Sequence, residues 1–161
     1  MKTYVITISK IFPAAHPRKG ELTGFLEKFL NGQTSTGEVR KVHTIRANYP
    51  LWEKRIKEIK AGNAVLSVRQ WSGRPYASKQ VEIARLTALD GVEIQQLDIN
   101  NLYGVNRYDV WSMDFRSCKE VPPGTIAAND GLSLNDWLSW FEGYDLSKPL
   151  AIIHFTKFRY L

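Results

Sequence analysis

The sequence predicts an α+β fold, a mixed β-barrel of about five or six strands with about three peripheral helices, and three observations predict it. Extended stretches rich in β-branched residues recur along the chain, at "TYVITISKIF", "AVLSVRQW", "ASKQVEIARLTAL", "GVEIQQLDI" and "PLAIIHFTKFRYL". Stretches of helical spacing fall between some of them without a strand–helix rhythm, and no GxGxxG or Walker sequence is present, which disfavours a doubly wound sheet. The chain has 161 residues and no internal repeat or low-complexity tract, so residues 1–161 read as a single domain.

Each element has its own warrant. The first stretch alternates and should be a strand that ends before the Pro and Gly positions of "PAAHPRKG". Leu22, Phe25, Leu26 and Phe29 recur at spacings of three and four, an apolar stripe on a short helix expected to stop at Asn31-Gly32. The polar "NGQTSTGE" reads as a connection. In "VRKVHTIRANYP" Val42 and Ile45 do not alternate strictly, so a short strand or bend is expected. "PLWEKRIKEIK" is helical, with Pro50 early, Trp52, Ile56 and Ile59 inward and Lys54, Arg55 and Lys57 outward. "AGN" closes that helix, "AVLSVRQW" is a strand and "SGRP" a turn. Asp90-Gly91 between the next two extended stretches predicts a hairpin pairing them. "NNLYGVNRYDVWSMDFRSCKEVPPG" lacks a period and reads as a long excursion. "SLNDWLSWFEG" is the last helix, capped by Ser133 with Asp136 three residues on and packed through Leu134, Trp137, Leu138 and Phe141. The terminal apolar run is a buried strand.

Composition excludes several classes. Cys118 is the single cysteine, and His16, His43 and His154 stand far apart, so no disulfide framework, structural metal or metal-ligand motif is expected, and no cofactor is implied. Cys118 itself reads as a small packed hydrophobe. The longest apolar runs fall far short of the ~18 residues of a membrane span, and nothing near the start resembles a signal peptide. A soluble, cytoplasmic protein with no membrane partner is the expectation.

The charge is unevenly spread. Residues 1–80 carry 15 basic and 5 acidic side chains, net +10, whereas residues 81–161 carry 7 basic and 11 acidic, net −4. Between Arg40 and Lys79 only Glu53 and Glu58 oppose ten basic residues, and Tyr49, Trp52, Trp71 and Tyr76 are interleaved. Phosphate-seeking charge beside flat rings is what an RNA or nucleotide surface needs, although clustering in sequence also describes an ordinary solvated face. Trp71 and Tyr76 flank a turn containing Arg74 and are stacking candidates; Trp52 lies on the apolar side of its helix and reads as core.

"KVHTIR" holds the densest polar chemistry. Lys41 and Thr44 stand three apart, with His43 between them, Arg40 before and Arg46 beyond. A desolvated lysine near Arg40 or Arg46 would have a lowered pKa and could take the threonine proton, making Thr44 a nucleophile. The alternative is that Lys41 and Arg46 bind phosphate while Thr44 bonds to backbone. Arg46 suits a phosphate or base carbonyl, or a structural carboxylate, and His43 reads as packed on the opposite face.

The order strand, helix, "GEVRKVHTIRANYPLWEKRIKEIKAGNAVL", strands, terminal helix and "AIIHF" resembles the ASCH domains of the PUA-like superfamily, in which a K-x-x-T-I-R element precedes a segment like "IKAGNAVLSV". The resemblance covers most of residues 1–161. It implies a PUA-like barrel and RNA binding in the cleft beside the motif; from their charge and ring chemistry, Arg40, Arg46, Trp71, Arg74 and Tyr76 are the candidate binding residues of this chain. It also implies a second activity, since a small bacterial ASCH protein is an acetylcytidine amidohydrolase using a lysine, a threonine and a glutamate. Lys41 and Thr44 match the first two. The glutamate's place falls at Asp130 in "NDGLSLNDW", one methylene shorter, with Glu82 and Glu120 as substitutes. A modified nucleoside such as acetylcytidine is then the substrate, with Lys41, Thr44 and Asp130 catalytic.

Overall fold

Two sheets, rather than one closed barrel, carry the chain. The computed structural model describes residues 1–161 and contains eight strands and four helices. In chain order these are β1 (Lys2–Thr7), α1 (Phe25–Thr34), β2 (His43–Arg46), α2 (Tyr49–Lys60), β3 (Ala64–Trp71), β4 (Gln80–Leu86), β5 (Glu93–Leu102), β6 (Val105–Trp111), β7 (Cys118–Glu120), α3 (Pro123–Asn129), α4 (Leu134–Trp140) and β8 (Leu150–His154). One sheet has the order β1-β3-β4, with β1 parallel to β3, and the other has the antiparallel order β2-β8-β5-β6-β7. The α+β class stands; the expected barrel of five or six strands and three helices is corrected. The outer edges of β1 and β2 are joined by a side chain instead of a ladder, because Arg46 Nη2 donates to the Thr7 carbonyl.

The core is one cluster of 32 buried residues drawn from both sheets and the helices. Each fully buried aliphatic or phenyl side chain there stabilises the fold by about 1.5–3 kcal/mol. β8 is buried along its whole length because it lies between β2 and β5, which is why its sequence is continuously apolar. α2 presses Trp52, Ile56 and Ile59 onto the sheets and leaves Lys54 and Lys57 in solvent, as its spacing predicts. Asn48 caps it from the left-handed region, its side chain accepting from Leu51 N.

Five local expectations are revised. α1 begins at Phe25, leaving Leu22 outside in a bridge to Ile11, and it runs through Gly32 to Thr34. Gly32 is there for close approach, since a Cβ would stand 3.0 Å from the Lys41 carbonyl oxygen. The Asp90-Gly91 hairpin does not form. Thr87 and Asp90 cap a 3₁₀ turn over Ala88–Asp90, and Gly91, at φ 102, lets the chain pass against Thr156–Lys157 into the other sheet. β4 therefore pairs with β3, and β5 with β6 and β8. The aperiodic excursion is a meander, β5-β6-β7, turned at Tyr103-Gly104, both at positive φ. Its strands lack period because their tips are exposed on both faces. Finally, α3 was not anticipated, and Cys118 is exposed on the edge strand β7 instead of packed.

Candidate functional site: the Lys41 cluster and the adjoining groove

Lys41 and Val42 lead into β2 and are clamped by backbone from two helices. Lys41 N donates to the Lys28 carbonyl of α1, Val42 N donates to the Asn129 carbonyl of α3, and Lys41 forms a β-bridge with Asp130, the residue ending α3. This bridge carries the Asp130 side chain to the lysine. Lys41 Nζ donates to Asp130 Oδ1 at 2.6 Å and to its carbonyl at 2.9 Å, and the ammonium also stands 4.1 Å from the centre of the Phe25 ring. Paired backbones bring the two residues close enough that the shorter aspartate reaches. Glu82 is occupied with Ser67 and Arg85, and Glu120 is exposed on β7, so neither substitutes for it.

The pair is deeply buried, Lys41 at 2% and Asp130 at 3% exposure. Burial pulls the Lys41 pKa below its ordinary value, with Asp130 opposing the shift. Burial alone would raise the Asp130 pKa; the Lys41 charge and His43 outweigh it and hold the carboxyl below its ordinary value. A neighbouring Lys28 ammonium donates to the Thr23 and Gly131 carbonyls and is likewise lowered by burial.

Thr44 and Arg46 share one face of β2, two residues apart, and Arg46 Nη1 donates to Thr44 Oγ1 at 2.8 Å. No carboxylate pairs with Arg46; its other partners are the Ile45 and Thr7 carbonyls. His43 turns to the other face, as its place in the strand predicts, and meets Tyr160 there. Lys41, Thr44, Arg46 and Asp130 together line a small cleft of about 20 Å³, walled also by Ile8, Ser9 and Trp140 among others. That is room for about one water molecule.

On the other side of Ile8 and Ser9 lies a groove of about 720 Å³. One wall is the segment after β1, which supplies Lys10, Phe12 and Lys19, and the other is the end of β3 with the turn that follows it, which supplies Trp71, Arg74 and Tyr76. Lys10 Nζ donates across to the Ser72 carbonyl and ties the walls together. No acidic residue lines the groove, and Lys19 and Arg74 have no carboxylate partner. Trp71 and Tyr76 are in tilted contact at 5.1 Å, and Tyr76 is 90% exposed at φ 61, a conformation that a bulky residue rarely holds. Ser78 braces that turn by accepting from Gly73 N and donating to the Arg74 carbonyl.

The expected residues thus separate into three places. Lys41, Thr44, Arg46 and Asp130 meet at the small cleft. Trp71, Arg74 and Tyr76 meet at the groove, and Arg40 faces a separate depression with Lys157 and Phe158. Lys10 and Lys19 were missed, although basic residues beside and within the Pro- and Gly-containing "IFPAAHPRKG" were a visible signal. Tyr160, Asn129 and Lys28 carried no such signal, being brought to the cluster only by packing. Set against protein-family models, curated proteins and solved structures, the chain gives no match in any of the three.

Proposed function

We propose that this protein binds RNA or a nucleotide in the groove beside the "KVHTIR" segment, as an ASCH-like domain of the PUA-like superfamily would. The observation that carries the reading is a concave surface with Lys10, Lys19 and Arg74, no carboxylate, and the exposed Tyr76 ring beside Trp71. Cations of this kind hold phosphates and release counterions, and a displayed ring stacks an unpaired base. This reading sets the binding surface outside the "KVHTIR" segment itself, since Lys41 is buried and donates to Asp130. Fluorescence anisotropy with short single-stranded and structured RNAs tests it. Binding at low salt should weaken as salt rises, and Tyr76→Ala should weaken it about tenfold, the equivalent of one lost base stack. Undetectable binding at low salt, or affinity unchanged after charge removal at Lys10, Lys19 and Arg74, would sink the proposal.

A second reading rests on the buried cluster. In an amidohydrolase acting on an N-acylated pyrimidine nucleoside such as acetylcytidine, the reacting form is the neutral Lys41 amine, which burial favours and which requires the shared proton to have left the Lys41–Asp130 pair. Thr44 Oγ1 then attacks the acyl carbon and passes its proton to that amine. The C–N bond then breaks, the amine leaves with that proton, and water cleaves the acyl-threonine to a carboxylic acid. Asp130 holds Lys41 in place at 2.6 Å. Entry of a pyrimidine requires the Ile8–Ser9 wall, shared with the groove, to move. Incubation with acetylcytidine and chromatographic detection of cytidine is the assay, and turnover that survives Thr44→Ala refutes the mechanism.

A further inference from the structure

Beneath the cluster, His43 and His154 lie in paired positions of β2 and β8, their rings edge to face at 5.8 Å, and Nδ1 of each has no hydrogen-bond partner. An unmade hydrogen bond at a buried donor costs about 1–3 kcal/mol, so the location of each ring proton matters. For His154 the neighbours decide it. Nε2 lies 2.9 Å from Gln95 Oε1, an atom that only accepts, so Nε2 carries the proton and Nδ1 is a bare lone pair. His16 has the same form, with Nε2 donating to the Asp136 carbonyl and Nδ1 accepting from Arg18 N.

His43 is the opposite case. Its Nε2 lies 2.6 Å from the Tyr160 hydroxyl, which accepts from Asn129 Nδ2 at 3.0 Å. An amide nitrogen only donates, and these two are the hydroxyl's partners, so its single hydrogen finds an acceptor only at His43 Nε2. A neutral ring accepting at Nε2 has its proton on Nδ1. That nitrogen stands 3.7 Å from Asp130 Oδ1, the same oxygen that receives Lys41.

We propose that His43 is a positioning residue for the buried ion pair: fixed by Tyr160 as the neutral Nδ1–H form, it presents that N–H to Asp130 and keeps the carboxylate ionised and turned to Lys41. The ionisable groups facing the His43 ring are Asp130 and Lys41 on one side and Tyr160 and His154 on the other. An N–H dipole beside a carboxylate favours its charged form, which in turn keeps the proton on Lys41. Two of the three ammonium hydrogens go to Asp130, leaving one for the cleft that Thr44 lines. The cleft is then supplied with a fixed donor suited to a ligand's acceptor oxygen.

Long-range proton–nitrogen correlation spectra of the full chain at neutral pH test this without any ligand. His16 and His154 should show the Nε2–H pattern and His43 alone the Nδ1–H pattern. Tyr160→Phe, which removes only the hydroxyl, should move the His43 nitrogens toward the averaged position of a mixed tautomer, shift the Lys41 Nζ signal and leave His16 in place. An Nε2–H or doubly protonated His43 in the unaltered chain overturns the proposal, as does a His43 signal indifferent to Tyr160→Phe.

Discussion

A carboxylate at 3% exposure persists at position 130 because an ammonium 2.6 Å away and the dipoles around it replace the water it lost. The same arithmetic makes the pair intolerant of halving. Asp130→Asn leaves the Lys41 charge buried with only neutral partners, and the expected loss is about 3–5 kcal/mol in urea denaturation. Replacing both by apolar residues, Lys41→Met with Asp130→Leu, should cost much less than the single change, because no uncompensated charge is left behind. A double-variant loss as large as that of Asp130→Asn would show that the pair is held by packing and not by its charges.

At the scale of elements, two turns with opposite steric demands set how consecutive strands are joined, one between the sheets and one within a sheet. Gly91 sits at φ 102 with Thr156 and Lys157 so near that a Cβ would stand 2.5 Å from the Thr156 carbonyl carbon. Gly91→Ala therefore combines left-handed strain with a backbone clash and should cost about 2–4 kcal/mol, read as a fall in the denaturation midpoint. The β5–β6 turn has the opposite slack. Tyr103 is fully exposed at φ 53 and Gly104 lies at φ 82, the geometry of a two-residue primed turn that prefers Asn-Gly. Tyr103→Asn should raise stability by about 0.5 kcal/mol, and a lower melting temperature would contradict the assignment of that turn.

At the scale of the whole molecule, acid weakens the interior through its buried titratable groups. Burial holds His43 and His154 below their ordinary pKa of 6.5, so the unfolded chain takes up protons that the folded one refuses. The stability these rings contribute is fully present above about pH 6.5 and is lost as pH falls through their lowered folded values, by about 1.4 kcal/mol per pH unit for each histidine. Asp130, also lowered, extends the loss below its ordinary 3.8. Urea midpoints should therefore fall steeply between neutral and mildly acid pH, and less steeply in His154→Gln, whose amide retains a donor toward Gln95. A midpoint flat across that range would mean that the folded rings take up protons as readily as the unfolded ones.

The sequence by itself determined what depends on neighbours along the chain. The periodicity of α2, the apolar run of β8, the Ser133 cap of α4 and the polarity of the "KVHTIR" segment are all local, and each element formed where it was expected, although α4 buries Trp137 and Phe141 and leaves Leu134 and Leu138 exposed. The first half's positive charge was legible too. Tertiary structure decided everything that depends on partners distant in sequence. β4 and β5 look like a hairpin because Asp90-Gly91 is a good turn, yet Gly91 serves a close pass against Thr156–Lys157 that no local pattern encodes. Lys41 and Asp130 are 89 residues apart, and whether the shorter side chain reaches depends on a backbone bridge. The opening charge division becomes a buried pair, with the lysine from the positive half and the aspartate from the negative one. A separate groove keeps its cations unpaired, because burial pairs charges and solvent does not require it.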